Sequence, residues 1–520
     1  MTTISYLGSR YQVRSGESAL DALVRGGANV PFSCRRGSCQ TCLMRAVAGE
    51  PGPVAQRGLR QELVETHHFM PCVCHPTEDL TIEAPDLSQL LLTAMVSGVR
   101  RLDDRVVRLS LETERVLECR PGQYINLYRE DGQSRSYSVR GLVDEDYFVE
   151  VDVQRVPGGA FSAWIHEGLQ EGDTVKVQGP LGDCHYRPED DGRPLILIGT
   201  GTGVAPLHGI VRDALRQGHT GGIWLYFGAR EAKWLYAHEE LTALAAQGVS
   251  YRAVVLEGAG DQGATERGAL LQGDVVTRAF AEHPDASRAV VFLCGDADLV
   301  QRARCEAVLA GARRDSIRAD PFESEVAAPP RDTQIIEGIE PDPELWEALG
   351  RGPKLRAILE DFYTEVYQDE RLSPFFHNVT RERAVDKQYS FLADMFAGTK
   401  DYFGLKPFNA HHWMVISDEL FDYREAMFER HLRRHQVPEP MIRRWAHLHE
   451  LFRREIVKSR ARGLFLEGVE YHLDRFQEEV VTVAGLCDGC SAELLVGDTC
   501  RLHVRTGQVY CQRCDAAAAE

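Results

Sequence analysis

The sequence has no excess of positive charge and no long apolar run, and both absences reduce the number of possible functions. Its 78 acidic residues outnumber its 59 lysines and arginines, which gives a formal net charge of -19. We expect no nucleic acid partner, because phosphate binding needs a basic surface. No apolar stretch approaches the roughly 20 residues that span a bilayer, and the N-terminus lacks the basic and apolar regions of a signal peptide. We therefore expect a cytoplasmic protein without membrane contact.

What the sequence does contain is a set of 14 cysteines that fall in groups rather than singly. In a reducing cytoplasm, grouped cysteines indicate a metal more often than disulfides. The 520 residues are too many for one core, so a multidomain chain is expected. Changes of pattern along the chain predict these segments: 1–90, 91–188, 189–322, a linker at 323–341, 342–482 and 483–516.

The first group of cysteines has the C-x4-C-x2-C spacing, followed by a cysteine pair: Cys34, Cys39 and Cys42, then Cys72 and Cys74. This spacing lets one loop present three thiolates to a [2Fe–2S] cluster while a distant segment gives the fourth. The segment resembles the plant-type ferredoxin domain of bacterial oxygenase reductases, which implies a β-grasp-like α+β fold. In that family the long gap after the third ligand favours Cys72 as the fourth, with Cys74 as the alternative.

The second segment has short alternating runs between Gly and Pro residues, which predicts an antiparallel β-barrel. Its runs are Val106–Ser110, Tyr124–Tyr128 and Tyr147–Val153.

The second segment also contains two motifs that resemble the ferredoxin–NADP reductase superfamily and imply FAD: Arg135, Tyr137 and Ser138, then Gly158, Gly159 and Ser162. An arginine can pair with a flavin phosphate, a tyrosine offers a flat face to the ring, and the serine can hydrogen-bond near the flavin N5. Backbone N–H groups at a helix start can meet the pyrophosphate.

The third segment alternates apolar runs with stretches of helical pattern, which predicts an α/β domain with a parallel doubly wound sheet. The first run, LILIG, leads into a glycine-rich loop that precedes a predicted helix: Gly199, Thr200, Gly201 and Gly203. Strand, glycine-rich loop and helix in this order are what a dinucleotide phosphate site requires.

The superfamily resemblance implies further residues in this segment. Cys294, Gly295 and Asp296 are expected beside the nicotinamide, where Cys294, like Ser138, is a candidate catalytic residue. Phe322 is expected near the flavin, with ordinary core packing as the alternative. Arg230 lies where the adenosine ribose is expected and could accept a 2′-phosphate. No other basic cluster accompanies it, so we favour NADH over NADPH.

From about Glu344 to Val480 the pattern is almost entirely helical, and its motifs resemble the group I truncated haemoglobins. The resemblance implies an all-α globin that binds haem b, with four residues in the pocket: Tyr363 and Gln388 as the distal pair that hydrogen-bonds the ligand, Phe376 on the haem face, and His411 as the proximal iron ligand. His412 is the rival ligand. Because adjacent helical residues point about 100° apart, only one of the two histidines can reach the iron.

The last cysteine group consists of two CxxC pairs: Cys487 with Cys490, and Cys511 with Cys514. Two such pairs predict a tetrahedral Zn²⁺ site in a small β-rich module. So short a segment needs the metal for its stability. Redox-active CxxC pairs and a rubredoxin-like iron site are the alternatives, and Cys500 is not expected to be a ligand.

These features together predict an enzyme, an NAD(P)H-dependent flavin and iron–sulfur oxidoreductase that delivers electrons to its own haem globin for O2 and NO chemistry. Nitric oxide dioxygenase is the expected activity, and the content resembles flavohaemoglobin, although the order of domains differs. The alternative is a reductase component for a separate oxygenase, with the globin as an O2 or NO sensor or carrier.

Overall fold

The computed structural model describes residues 2–514 apart from the following: 14–16, 29, 31–39, 41, 58, 87–89, 132, 258–269, 323–330, 377–378, 401, 403, 415, 459–462, 467–468, 472–475, 482–484, 488–491, 504–508 and 512–513. The chain divides into two compact units. The first comprises Met1–Pro85, Ala328–Trp445 and Phe452–Glu520, and the second comprises Asp86–Ala327 and Ala446–Leu451.

The N-terminal domain is a five-stranded mixed sheet with two short helices. Its elements are β1 (Thr2–Tyr6), β2 (Ser9–Val13), α1 (Ala19–Arg25), β3 (Met44–Ala48), α2 (Gln61–Glu65), β4 (His68–Phe69) and β5 (Leu80–Glu83). The strand order is β2-β1-β5-β3-β4, with β1 parallel to β5. Ser18 begins α1 by accepting a hydrogen bond from the Asp21 N–H, and Leu20 and Leu23 bury one helix face. The predicted β-grasp-like fold is confirmed.

The second domain is an antiparallel six-stranded barrel in the order β10-β7-β6-β11-β8-β9. Its elements are β6 (Leu92–Arg101), β7 (Val106–Thr113), β8 (Tyr124–Tyr128), β9 (Ser134–Ser138), α3 (Val143–Asp146), β10 (Val149–Gln154), α4 (Ala160–Glu167) and β11 (Thr174–Leu181). A bridge between Val139 and Val151 joins the outer strands. The predicted strand at Tyr147 starts two residues late, because Tyr147 ends α3 with a left-handed φ of 62°.

The third domain is a parallel six-stranded sheet in the order β15-β14-β13-β12-β16-β17. Its elements are β12 (Leu195–Thr200), α5 (Val204–Arg216), β13 (Ile223–Ala229), α6 (His238–Ala243), β14 (Ser250–Val255), β15 (Leu270–Gln272), α7 (Val275–Glu282), β16 (Val290–Asp296), α8 (Ala297–Leu309) and β17 (Ile317–Phe322). The strand order reverses between β12 and β16. In such sheets the crevice beyond the carboxyl ends of the strands at this switch point binds ligands.

The helical segment has these helices: α9 (Asp332–Glu337), α10 (Pro343–Ala348), α11 (Pro353–Val366), α12 (Arg381–Ala397), α13 (Pro407–Ala410), α14 (Asp418–Arg434), α15 (Glu439–Leu451) and α16 (Arg453–Ile456). Thr380 and Ser417 begin α12 and α14 by accepting backbone hydrogen bonds. In the core the rings of Phe362 and Phe428 stack with centroids 3.9 Å apart. The predicted linker is shorter than expected: α9 lies within it, and its buried Asp332 accepts a hydrogen bond from the Phe408 N–H at 3.1 Å.

The C-terminal part has these strands: β18 (Leu464–Leu466), β19 (Val469–Tyr471), β20 (Phe476–Val480), β21 (Gly485–Leu486), β22 (Glu493–Leu494), β23 (Thr499–His503) and β24 (Val509–Cys511). The expectation of helix up to Val480 is therefore wrong, because β18, β19 and β20 occupy the stretch 464–480. β20 pairs with β23 of the tail, so a partner far along the chain overrides the local pattern. Among the described residues, no helix has the length and apolarity needed to cross a membrane.

Candidate functional site

The barrel presents its first motif on the last strand of its sheet, β9. Arg135 donates to the Ser134 carbonyl at 2.7 Å, and its guanidinium lies 5.7 Å from the centre of the Phe161 ring. The Tyr137 ring tilts against the same phenylalanine at 6.3 Å. All three motif residues are half-buried. The strand thus offers an aromatic face, a cation and a hydroxyl side by side, which are the groups that a flavin and its phosphate need.

The second motif forms the turn into α4. Gly158 has a φ of 73°, a left-handed conformation that favours glycine, and Gly159 begins the helix. Ser162 is buried and accepts from the Val156 N–H at 3.0 Å while donating to the Gly159 carbonyl at 3.1 Å. Its hydroxyl therefore holds the turn, and its contact with a cofactor stays a prediction.

Ser138 meets an acid that the sequence reasoning did not select. Its hydroxyl donates to the Asp320 carboxylate at 2.5 Å. Asp320 is half-buried, and the loss of water around its carboxyl raises the pKa of Asp320 to about 6, against the lowering effect of the Ser138 hydrogen bond and with a smaller contribution from the charge of Asp183. Phe322, two residues on, is 37% exposed and not core, which leaves its ring available to a ligand. The signal for Asp320 was its place in the terminal motif Asp320-Pro321-Phe322.

The glycine-rich loop lies at the switch point, packed against the end of β16. A Cβ atom on Gly203 would lie 2.3 Å from the Cys294 carbonyl oxygen, so only glycine fits there. Gly295 has a φ of 127° for the same close approach to Thr200. The loop leads directly into α5, whose N-terminal N–H groups suit an anion.

The other predicted residues beside the nicotinamide have local partners. Cys294 is fully buried, which raises the pKa of its thiol, and its Sγ lies 3.9 Å from the Cys184 Sγ. Asp296 begins α8 by accepting from the backbone N–H groups of Asp298 and Leu299 at 3.0 and 3.2 Å. Its carboxylate therefore has a structural task, and a direct contact with the cofactor stays a prediction.

A cavity of about 270 Å³ opens beside this loop. Its lining includes Thr200 and Gly201 of the loop, Arg230 after β13, and Trp234. Arg230 donates from Nε to the Glu257 carboxylate at 3.0 Å. The cavity combines the glycine loop, an aromatic ring and an arginine, which suits the phosphates and adenosine of a dinucleotide.

A buried ionic network joins the barrel to the parallel sheet in the second unit. Arg108 donates two hydrogen bonds to Asp152, at 2.7 and 3.1 Å, and a third to Glu240 at 2.9 Å. Burial raises the pKa of Glu240, but Arg108 and Arg140 outweigh it and lower that pKa to about 2. Burial, with the nearby Arg140, lowers the pKa of His208 to about 3. The network holds the flavin and nucleotide halves in one orientation.

Two of the predicted cluster ligands, Cys34 and Cys39, lie outside the described residues. Cys42 is buried, and Cys72 is half-buried in a short turn of 3-10 helix, Pro71–Val73. Cys74 is buried and donates from Sγ to the Pro51 carbonyl at 3.4 Å. The choice of Cys72 over Cys74 as the fourth ligand stays a prediction.

The predicted globin pocket brings Tyr363 and Phe376 together, with ring centroids 5.6 Å apart. Tyr363 is buried on α11, and Gln388 is half-buried on α12, which packs against α11. Burial raises the pKa of Tyr363, while a hydrogen bond and the charge of Arg424 act in the opposite direction. The sequence analysis did not select Arg424. The feature that could have indicated it is a positive charge on a helix, α14, that has a buried apolar face.

The two candidate haem ligands follow α13 directly. His411 Nδ1 lies 2.8 Å from the Pro407 carbonyl, and His412 Nδ1 lies 2.7 Å from the Asn409 carbonyl. Such a bond places the proton on Nδ1 and makes Nε2 the basic nitrogen, which is the tautomer an iron ligand needs. His411 is half-buried and His412 is buried. Both rings fit the chemistry, so the choice of His411 stays a prediction.

The tail brings three of its predicted ligands together. The sulfur atoms of Cys487, Cys511 and Cys514 all lie within 4.8 Å of one another, and the Cys511 N–H donates to the Cys487 sulfur at 3.2 Å. Cys490 lies outside the described residues. Cys500 pairs with Cys511 between β23 and β24, but its Sγ donates to the Glu479 carbonyl at 3.4 Å. The sulfur cluster and the N–H···S bond are typical of a structural metal site.

Family models match four parts of the chain. They describe a 2Fe-2S iron-sulfur cluster binding domain, an oxidoreductase FAD-binding domain, an oxidoreductase NAD-binding domain and a bacterial-like globin, at residues 3–77, 99–186, 197–304 and 344–457 respectively.

Two relatives match the first three of these domains. The aromatic O-demethylase reductase subunit of Amycolatopsis sp. (strain ATCC 39116 / 75iv2) is 35% identical over 311 residues, which cover 57% of this chain and 91% of the relative. The ferredoxin–NAD(P)+ reductase component of the Ralstonia sp. naphthalene 1,2-dioxygenase/salicylate 5-hydroxylase systems is 30% identical over 322 residues, 61% of this chain and 96% of the relative. The match to the crystal structure of Amycolatopsis cytochrome P450 reductase GcoB spans 62% of this chain and 99% of the GcoB chain, at 30% identity and a TM-score of 0.44.

The chain therefore belongs to the family of iron–sulfur flavoprotein reductase components of oxygenase systems. It is an NAD(P)H-dependent oxidoreductase with FAD and [2Fe–2S] domains, and it carries a haem globin domain on the same chain.

Proposed function

We propose that the reductase domains supply electrons to the globin haem of the same chain, and that the globin converts NO and O2 to nitrate as a nitric oxide dioxygenase. The observation that carries this proposal is the presence of a complete reductase and a globin in one chain. A fused acceptor stays at high effective concentration, which favours transfer within the chain. When bound, FAD splits the electron pair of NAD(P)H, and the cluster and haem take electrons singly.

At the proposed flavin site, Ser138 and Asp320 form a pair that can transfer a proton to or from the flavin. Asp320 has a pKa of about 6, so near neutral pH it can take up or release a proton through the Ser138 hydroxyl. A catalytic acid or base works best with a pKa near the working pH. Tyr137 and Phe322 offer aromatic faces, and Arg135 offers the charge for a phosphate. These residues would orient the flavin, while Asp320 would take up or release the proton through Ser138.

In the globin, His411 would hold the haem iron and Phe376 would contact the haem face. Tyr363 and Gln388 would donate hydrogen bonds to a bound ligand, and Arg424 adds a positive charge beside Tyr363. Preorganised donors in a buried pocket stabilise negative charge that develops during a reaction. One hydrogen bond to a charged group is worth about 1.5–3 kcal/mol, so Tyr363→Phe should speed O2 release about 10- to 150-fold.

We further propose Cys34, Cys39, Cys42 and Cys72 as the cluster ligands, and Zn²⁺ as the metal of the tail. Support for Cys72 is the structural hydrogen bond that occupies Cys74. Support for Zn²⁺ is the cluster of three sulfur atoms, because clustered thiolates are a common ligand set of structural zinc sites. A cytoplasmic location, where NAD(P)H and reduced thiols are abundant, remains part of this proposal.

The test is anaerobic mixing of the purified protein with NADH while haem spectra are recorded. We expect flavin, cluster and haem all to become reduced. Aerobic NO pulses should then yield nitrate, with one NAD(P)H consumed for every two nitrate ions, since each NAD(P)H supplies two electrons. Haem that stays ferric while flavin and cluster bleach would contradict the proposal.

A second candidate is a reductase for a separate oxygenase, with the globin as a sensor or carrier. It is favoured by the relatives, which are reductase components of oxygenase systems. The two candidates predict different acceptors. If the second candidate is right, NADH does not reduce the haem. An added one-electron acceptor such as cytochrome c is then reduced rapidly through the cluster.

A further inference from the structure

The cavity beside the glycine-rich loop is built by two domains. Most of its lining comes from the parallel-sheet domain, but Arg105 and Gln154 come from the flavin barrel. Arg105 lies in the turn between β6 and β7, and Gln154 ends β10. The two are neighbours in the barrel, since Gln154 pairs with Val106 and the Arg155 N–H donates to the Arg105 carbonyl at 2.7 Å.

The three arginines that line this cavity differ in how their charge is balanced. Arg230 is paired with Glu257 at 3.0 Å, and Arg302 is paired with Asp274 at 3.0 Å. For Arg105 the described part of the chain shows no carboxylate within ion-pair distance. Its Nε is buried without a hydrogen-bond partner there. Arg105 is thus the cavity arginine whose charge the described residues leave unneutralised.

The position of the Arg105 side chain is set from both ends. At the backbone, the Asp103 carboxylate accepts from the N–H groups of Arg105 and Val106 at 2.8 and 2.7 Å. At the tip, the guanidinium lies over the Trp234 ring, 4.4 Å from its centre. Such a stacked guanidinium keeps its edge available to an anion, because cation–π contact uses only its face. The Arg105 guanidinium is therefore fixed beside the cavity with its edge free to bind an anion.

We propose that Arg105 binds the pyrophosphate of the nicotinamide dinucleotide, so that the flavin barrel supplies a cation to the nucleotide site. This rests on the proposed role of the cavity in dinucleotide binding. Gln154, the barrel neighbour of Arg105, directs its side-chain oxygen to within 3.2 Å of the place of a Cβ atom on Gly201. The barrel edge thus adjoins the phosphate loop, whereas Arg230 and its partner Glu257 follow β13 and β14, on the side expected for the ribose.

The test uses the full FAD-containing protein and three probes: ADP-ribose, which has the pyrophosphate, adenosine, which lacks it, and 2′-phospho-ADP-ribose. Isothermal titration calorimetry measures their dissociation constants for wild type, Arg105→Ala, Arg105→Lys and the control Arg101→Ala, an exposed barrel arginine outside this cavity. We expect Arg105→Ala to weaken ADP-ribose binding about 10-fold or more, with adenosine unchanged. Arg105→Lys should recover part of the loss, since the charge remains without the planar donors.

Equal affinity of ADP-ribose for Arg105→Ala and Arg101→Ala would overturn the inference. So would a loss confined to 2′-phospho-ADP-ribose, which would place Arg105 at the ribose phosphate instead. An equal loss for adenosine and ADP-ribose would show a general disruption of the cavity and would also overturn it. The proposed function fails separately, if wild type with NADH does not reduce the haem, so the two failures are distinguishable.

Discussion

Asp320→Asn should increase the free energy of unfolding of the flavin and nucleotide domains near neutral pH, because it removes a carboxylate that is shielded from water. In the folded protein the pKa of this carboxyl is raised from 3.8 to about 6, mainly by burial. Each pKa unit corresponds to about 1.4 kcal/mol, so the shift amounts to about 3 kcal/mol. Because the folded state holds the proton more tightly than the unfolded state, the contribution of Asp320 to stability is most favourable below about pH 4, and it is lost as the pH rises towards and past 6.

Asparagine stays neutral at every pH and can still accept the hydrogen bond from Ser138. The variant should therefore match wild type near pH 4 and exceed its unfolding free energy by up to about 3 kcal/mol at pH 7.5. Urea titrations at both pH values, followed by the fluorescence of released flavin, measure this difference. Flavin held by Tyr137 and Ser138 would bury this carboxyl further, which would act in the same direction.

The matched control is Asp104→Asn, an exposed aspartate in the barrel turn, which should show the same pH dependence as wild type. The reasoning is refuted if the stability difference between Asp320→Asn and wild type is the same at both pH values. The same variant should also slow NADH oxidation above pH 6 if Asp320 moves the proton through Ser138, which steady-state rates across pH would reveal.

The remaining predictions concern the metals. Cys39→Ser should abolish the visible absorption of the cluster but keep NADH-dependent ferricyanide reduction, which takes electrons from the flavin; loss of both would place the cluster before the flavin. His411→Ala should lose or misplace haem while His412→Ala retains it, as haem extraction and absorption spectra would record, and the reverse result would exchange their roles. Cys514→Ser should release the tail metal and Cys500→Ser should not, as metal analysis would show; equal zinc in both variants would rule out the proposed ligand set.

Several features of this protein follow from its sequence alone, because they depend on residues close together in the chain. The C-x4-C-x2-C spacing, the flavin motif of Arg135, Tyr137 and Ser138, and the glycine-rich loop are each local, and family models confirm the domains that they indicate. The apolar run LILIG, predicted as a strand of the parallel sheet, is part of β12. A buried parallel strand needs a continuous apolar run, so this pattern is visible without any knowledge of partners.

Tertiary structure decided the rest, where a residue's role depends on a distant partner. Ser138 and Asp320 are 182 positions apart, and only the meeting of barrel and sheet gives the carboxyl its raised pKa. Arg105 belongs to one domain and the cavity largely to another. Strand β20 lies in a stretch whose local pattern suggested helix, and it is a strand because β23 supplies its hydrogen bonds. Burial and pairing are set by the whole fold, so no local spacing could reveal them.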